Sequence, residues 1–223
     1  MNIDDVIKKI PIPEDPIAEI FRMQQKLMNR YDDIERDNGF HVPEAPYHLD
    51  NAQVQARIKD MFWRVTEEIM EAMEAITTIY RLLEDWQDRW EGSPDIRHFF
   101  EELADALHFL TEASILAGLE ASDISLHYSR GKRLNTFTLT ESNLKVMCFN
   151  IIYHMGIAAN HFKNKPWKQT QMPTDKVRFK DHLLLVWKSF KVMWDRLDCD
   201  LEHVYVLYAR KNFVNVWRQD TNY

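Results

Sequence analysis

Glycine and cysteine are both scarce in this 223-residue chain, with five of the first and two of the second. With so little glycine, and with Leu, Met, Glu, Lys and Arg abundant, the composition favours helix. Cys148 and Cys199 fall in no CxxC pair and have no zinc-type spacing to histidine, so they suit a reducing cytoplasm better than a disulfide framework. There is no basic arm, and a formal charge of −7 argues against nucleic acid as the main partner. An acidic protein can still bind phosphates through magnesium and a few local cations. No run of about 18 apolar residues occurs, and MNIDDVIKK lacks the apolar core of a signal peptide. The expectation is a cytoplasmic protein, neither secreted nor membrane-spanning. At 45% hydrophobic and 28% charged residues, the chain is long enough to bury one sizeable core.

What is present reads as helix after helix. Past the Pro-rich IPIPEDP, a helix runs from about Ile17 to Arg36, closed by DNG and followed by the linker VPEAPYH. A long helical stretch covers about Asn51 to Trp90, and the turn EGSPD separates it from a helix carrying Glu102 that ends near Gly118. The segment ASDISLHYSRGKRLNTFTLTES is the most irregular. Further helices cover about 141 to 162, 175 to 196 and 200 to 219, with KNKPWKQTQMPTD as a proline-marked loop between the first two. Without a repeat or a strong break, residues 1–223 read as one all-α domain.

Two carboxylate pairs stand out on these helices: Glu68-x-x-Glu71 and Glu102-x-x-Asp105. A spacing of three puts both acids of a pair on one helical face, and hard divalent cations prefer oxygen ligands. At about 100° per residue, Val65, Ile69, Ala72 and Ile76 form a seam that Glu68 borders, with Glu71 on the same side and Glu67 and Glu74 nearly opposite. On the later helix Glu102 and Asp105 share a stripe with Phe109, Ala113 and Leu116. For one such pair alone, a solvated acidic face with i,i+4 pairing is the better account. Two phased pairs on adjacent helices favour a magnesium site that works alongside substrate phosphates.

Gln24 interrupts an apolar stripe of Ile17, Ile20, Phe21, Met28 and Tyr31. A buried amide needs partners, and either a ligand base or a neighbouring helix supplies them. The last helix changes character along one face, from Leu201, Val204, Tyr205 and Tyr208 to Lys211, Asn212, Asn215, Arg218 and Gln219. Lys211, Asn215 and Arg218 make a ladder suited to phosphate oxygens, Arg as a fork and Lys as a point charge. A frayed helix end whose cations complement the helix dipole is the competing reading. His154 and His161 share a face seven residues apart, but no third ligand accompanies them in the sequence. His108 reads as lying on a polar side of its helix, with a structural hydrogen bond.

Taken in order, MQQKL (23–27), EIME (68–71), ELADALHF (102–109) and KNFVNVWRQDTNY (211–223) resemble the dimeric all-α dUTPases and the related phage dCTP pyrophosphatases. Both lie within the all-α nucleoside triphosphate pyrophosphatase superfamily, which includes MazG-like proteins. The C-terminal element matches the family pattern K-N-x-x-N-x-x-R-Q-x-x-G-Y except at one position. The resemblance implies a helical fold of that type and a Mg2+-dependent, homodimeric enzyme. Its substrate would be a deoxynucleoside triphosphate, dUTP first and dCTP second. Glu68, Glu71, Glu102 and Asp105 would hold the metal and serve catalysis; Lys211, Asn215, Arg218 and Tyr223 would contact the phosphates; Gln24 would read the base. Water would attack the α-phosphorus to give a monophosphate and pyrophosphate, with positioning and charge neutralisation in place of a covalent intermediate.

Some positions depart from the family. Met28 stands where a base-facing Asn is usual, and Asn222 replaces the Gly before Tyr223. Trp86 and Trp90 lack the lysines that relatives carry beside them, while Pro166, Trp167 and Lys168 read either as an ordinary surface loop or as the source of a later cation. These departures bear on which base is taken, so another pyrimidine or a modified nucleotide is the alternative substrate. A catalytically idle nucleotide-binding scaffold is the alternative class.

Overall fold

The structure is a computed structural model and describes residues 10–82, 94–128, 140–162 and 172–221. Among these residues the regular structure is helical: α1 (Pro16–Asp37), α2 (Ala52–Leu82), α3 (Pro94–Leu116), α4 (Ala121–Tyr128), α5 (Glu141–Asn160), α6 (Lys176–Arg196) and α7 (Leu201–Asp220). The all-α expectation holds. Trp86, Trp90, Pro166, Trp167, Lys168, Asn222 and Tyr223 lie outside the described residues.

Helix boundaries follow local chemistry. Asp15 accepts a hydrogen bond from the Ala18 N–H at 3.0 Å and Pro16 opens the first turn of α1. At its other end Gly39 takes φ +81°, which lets the Phe40 N–H reach back to the Glu35 carbonyl at 2.9 Å. Gly118 ends α3 in the same way, at φ +68°, with the Leu119 N–H on the Ser114 carbonyl at 2.9 Å. Thr140, Asp175 and Asp200 cap α5, α6 and α7 through their side-chain oxygens. One expectation changes. Ala121–Tyr128, the start of the segment read as irregular, forms α4. Half of its residues are polar, and Ile124, fully buried, anchors it in the core, too little periodicity to read from eight residues.

The helix α3 occupies the centre of the fold. It packs most extensively on α2 and is flanked by α1 and α7, while α5 and α6 form a second pair joined to the first through α2 and α5. Arg57 meets Glu112, and eleven positions further along α2 Glu68 meets Glu102 and Asp105, so α2 and α3 run antiparallel. Because α3 has neighbours on several sides, nearly every residue from Glu102 to Ala117 is buried or half-buried, polar ones included. His108 therefore has no polar side to sit on: it is buried. Elsewhere the core closes with the Trp187 indole donating to the Ser114 hydroxyl at 2.9 Å and stacking on Phe21. Buried side chains from all seven helices join one hydrophobic cluster.

The outer face of α5 is unusual in the opposite sense. Val146, Phe149 and Tyr153, spaced i, i+3 and i+7, are each more than half exposed. Among the described residues no helix is long and apolar enough to cross a membrane.

Candidate functional site

The antiparallel register of α2 and α3 brings the carboxylates together. One oxygen each from Glu68, Glu102 and Asp105 lies within 4.8 Å of the others. Burial, a hydrogen bond shared with Glu102 and the charges of Asp105, Glu102 and Glu71 push the Glu68 carboxyl up to about 8. Burial likewise raises Asp105, opposed by the Lys211 ammonium 2.5 Å away and by the charge of Arg218. The His98 Nδ1 sits 2.8 Å from Glu102. Three acids crowded this closely are under electrostatic strain that a divalent cation with oxygen preference relieves, so the donor set fits Mg2+. Glu71 is exposed and outside this group of three, yet close enough for its charge to act on Glu68.

Beside the acids opens a cavity of about 410 Å³ walled by α1, α2, α3 and α7. Glu68, Asp105, Lys211, Asn215, Arg218 and Gln24 all line it. Cations and acids thus face a common space, as a metal-bound polyphosphate requires. Arg30 on α1 pairs with Asp220 on α7 at 2.5 Å, which fixes the end of the tail helix beside the opening. Tyr223, the remaining predicted phosphate contact, lies beyond the described residues.

At the far end of the cavity Gln24 is held by a buried polar network. The Tyr208 hydroxyl donates to Gln24 Oε1 at 2.7 Å, His108 Nδ1 lies 2.9 Å from the same oxygen, and Gln24 Nε2 donates to Glu112 Oε2 at 3.3 Å. The imidazole stacks on the Tyr208 ring with centroids 3.9 Å apart. Burial drives His108 down to about 3, so it is neutral and serves as a hydrogen-bonding spacer. Glu112 is balanced by Arg57, which donates from Nε to Glu112 at 3.1 Å and from Nη1 to both Glu35 oxygens at 2.8 and 2.9 Å.

Sequence reasoning missed Arg57, Arg64 and Glu112, which also line the cavity. A signal for them existed. Arg57, Met61, Arg64 and Glu68 fall on one face of α2, and Asp105, His108, Phe109 and Glu112 on one face of α3, so each acidic pair continues into a longer polar stripe. The Arg64 guanidinium sits 5.7 Å from the Phe109 ring centroid, linking the two stripes across the cavity.

A family model described as dUTPase matches residues 17–223. No curated protein and no solved structure gives a significant match.

Proposed function

The chain belongs to the all-α dUTPase family, a family of dUTP pyrophosphatases, and we propose that the four-helix cavity is where dUTP is hydrolysed to dUMP and pyrophosphate. The observation that carries this reading is the placement of Glu68, Asp105, Lys211, Arg218 and Gln24 around one cavity. Glu68, Glu102 and Asp105, joined by Glu71 from the next turn of α2, would hold Mg2+. The metal would supply positive charge to the triphosphate and to the water that attacks it.

The remaining roles belong to side chains. Lys211 and Arg218, with Asn215 between them and Tyr223 beyond, bind phosphate oxygens and align the α-phosphorus. Gln24, flanked by Leu27 and Tyr31 in the cavity wall, takes the base edge. The experiment is pyrophosphate release from dUTP, dCTP, dTTP and the ribonucleotides, with and without Mg2+. Release from dUTP that needs the metal supports the assignment, and equal turnover without metal removes it.

A pH dependence follows from Glu68. Its carboxyl titrates at about 8 in the folded metal-free protein against 4.5 when unperturbed. The neutral form therefore favours the folded state below the lower value, and that contribution is lost as pH rises through 8. Below pH 8 a cation has to displace this proton. Apparent Mg2+ affinity should rise with pH by up to about tenfold per unit and level off above 8. Calorimetry in two buffers of different ionisation enthalpy counts the released proton; Glu68→Gln should release none at this step.

We also propose that the enzyme is a homodimer whose interface includes the outer face of α5. Val146, Phe149 and Tyr153 make an apolar stripe that solvent does not favour and that a second copy would cover. Sedimentation of the parent protein and of Phe149→Asp tests this: a dimer that dissociates in the variant is the expected result.

A further inference from the structure

Resting on the reading of Gln24 as the base contact, we infer that Glu112, Tyr208 and His108 lock its amide so that a single N–H faces the base, making the site a reader of a carbonyl at the pyrimidine 4-position. A primary amide has one oxygen with two lone pairs and one nitrogen with two hydrogens. Both lone pairs of Gln24 Oε1 are taken, by the Tyr208 hydroxyl at 2.7 Å and by His108 Nδ1–H at 2.9 Å. With Glu112 turning the amide oxygen of Gln24 toward the imidazole, the one proton of the neutral ring is assigned to Nδ1. His108 Nε2 lies 3.3 Å from the Tyr208 carbonyl, a longer approach than that of Nδ1 to Gln24. One hydrogen of Nε2 goes to Glu112 Oε2 at 3.3 Å. The other is left for a ligand.

What fixes the amide this way round is Glu112. Burial raises its carboxyl and the Arg57 guanidinium opposes that rise; its other oxygen accepts from Arg57, and the carboxylate so paired only accepts, which selects the nitrogen of Gln24 over the oxygen. Turning the amide over would set two oxygens against each other in a buried place, with Gln24 only 2% exposed. Gln24 cannot therefore answer a base in whichever sense the base requires. Opposite position 4 a fixed donor meets an acceptor in uracil and a donor in cytosine; opposite N3 it would favour cytosine. Since dUTP is the family's substrate, position 4 is the consistent choice. Uracil and thymine carry the same 4-carbonyl, so this device separates uracil from cytosine and leaves thymine to other contacts.

Glu112, Tyr208 and His108 are positioning residues in this scheme, and substrate ratios test them. In Glu112→Gln the new amide can donate to Gln24 Oε1, allowing Gln24 to turn over; Arg57→Met/Glu112→Met removes the carboxylate together with its counter-charge, so that nothing selects the nitrogen of Gln24. Each variant should lower the ratio of kcat/KM for dUTP over dCTP by about tenfold or more, the scale of one mismatched buried hydrogen bond. The ratio of dUTP over dTTP should stay within about twofold. Arg57→Met/Glu112→Met decides the matter if Glu112→Gln does not fold by circular dichroism. Parental dUTP/dCTP ratios in the folded variants overturn the inference, as does an equal fall of both ratios, which marks a loosened pocket. Gln24→Ala separates the two levels: unchanged ratios there remove the base-reading role itself, whereas a narrowed dUTP/dCTP ratio with unaffected Glu112 variants removes only the locking.

Discussion

Glu68→Gln, Glu102→Gln and Asp105→Asn each lower kcat for dUTP by about 100-fold or more while the protein stays folded. Each substitution keeps shape and removes one carboxylate able to bind a cation from a group whose oxygens lie within 4.8 Å of one another. The triphosphate then loses part of the cation that compensates its charge, an interaction needed most where charge develops on the leaving pyrophosphate. Stability should move the other way. Removing one of several crowded acids relieves repulsion, so the metal-free variants should melt at or above the parental temperature. Loss of activity without loss of stability is the signature of a functional cluster, and wild-type rates in all three folded variants would remove the metal assignment. Glu71→Gln locates the edge of the cluster: a comparable loss of kcat shows that this exposed acid swings in to share the cation.

Arg57→Met destabilises the protein by about 3 to 5 kcal/mol, the largest stability effect expected from a single change at the site. Methionine keeps the stem but removes the cation between Glu112, whose side chain is 7% exposed, and Glu35. Glu112 is then buried without a counter-charge and must either stay ionised at high cost or take up a proton. Arg57→Met/Glu112→Met removes both charges and should recover most of the loss, since a buried pair contributes little relative to apolar residues of similar size. Urea unfolding gives both numbers. Should the single variant lose less than about 1 kcal/mol, the pair is solvated and Arg57 is not what sustains the network.

The helices were largely legible because their signals are local. An Asp cap before Pro16, glycines at positive φ after α1 and α3, and apolar residues every three or four positions all act within one or two turns. The acid pairs were legible for the same reason, and Glu68, Asp105, Lys211, Asn215, Arg218 and Gln24 line one cavity. What escaped was set by tertiary surroundings. His108 looked like a surface residue because a helical wheel assumes one wet side, whereas α3 has neighbours around it. Gln24 showed that a polar group was needed in an apolar stripe but not which way its amide turns. That orientation depends on Glu112 and Tyr208, which are 88 and 184 positions away. Arg57 and Arg64 were passed over because an arginine on a helix is ordinarily solvated. Only their phase with Glu68 set them apart.

The cavity draws its walls from α1 near the start of the chain and α7 at its end, tied by Tyr208 to Gln24 and by Arg30 to Asp220 across 190 positions. A ribosome releasing this chain from its N-terminus makes α1, α2 and α3 well before α7 exists. Until α7 emerges, the acids have no Lys211 beside them and Gln24 has no Tyr208. Closure of so long a loop is an entropically costly and late event, so catalytic competence should appear as a final step, after most helical signal has formed. A chain without α7 would be helical but silent toward nucleotides, and the enzyme's own turnover is a reporter of α7 docking.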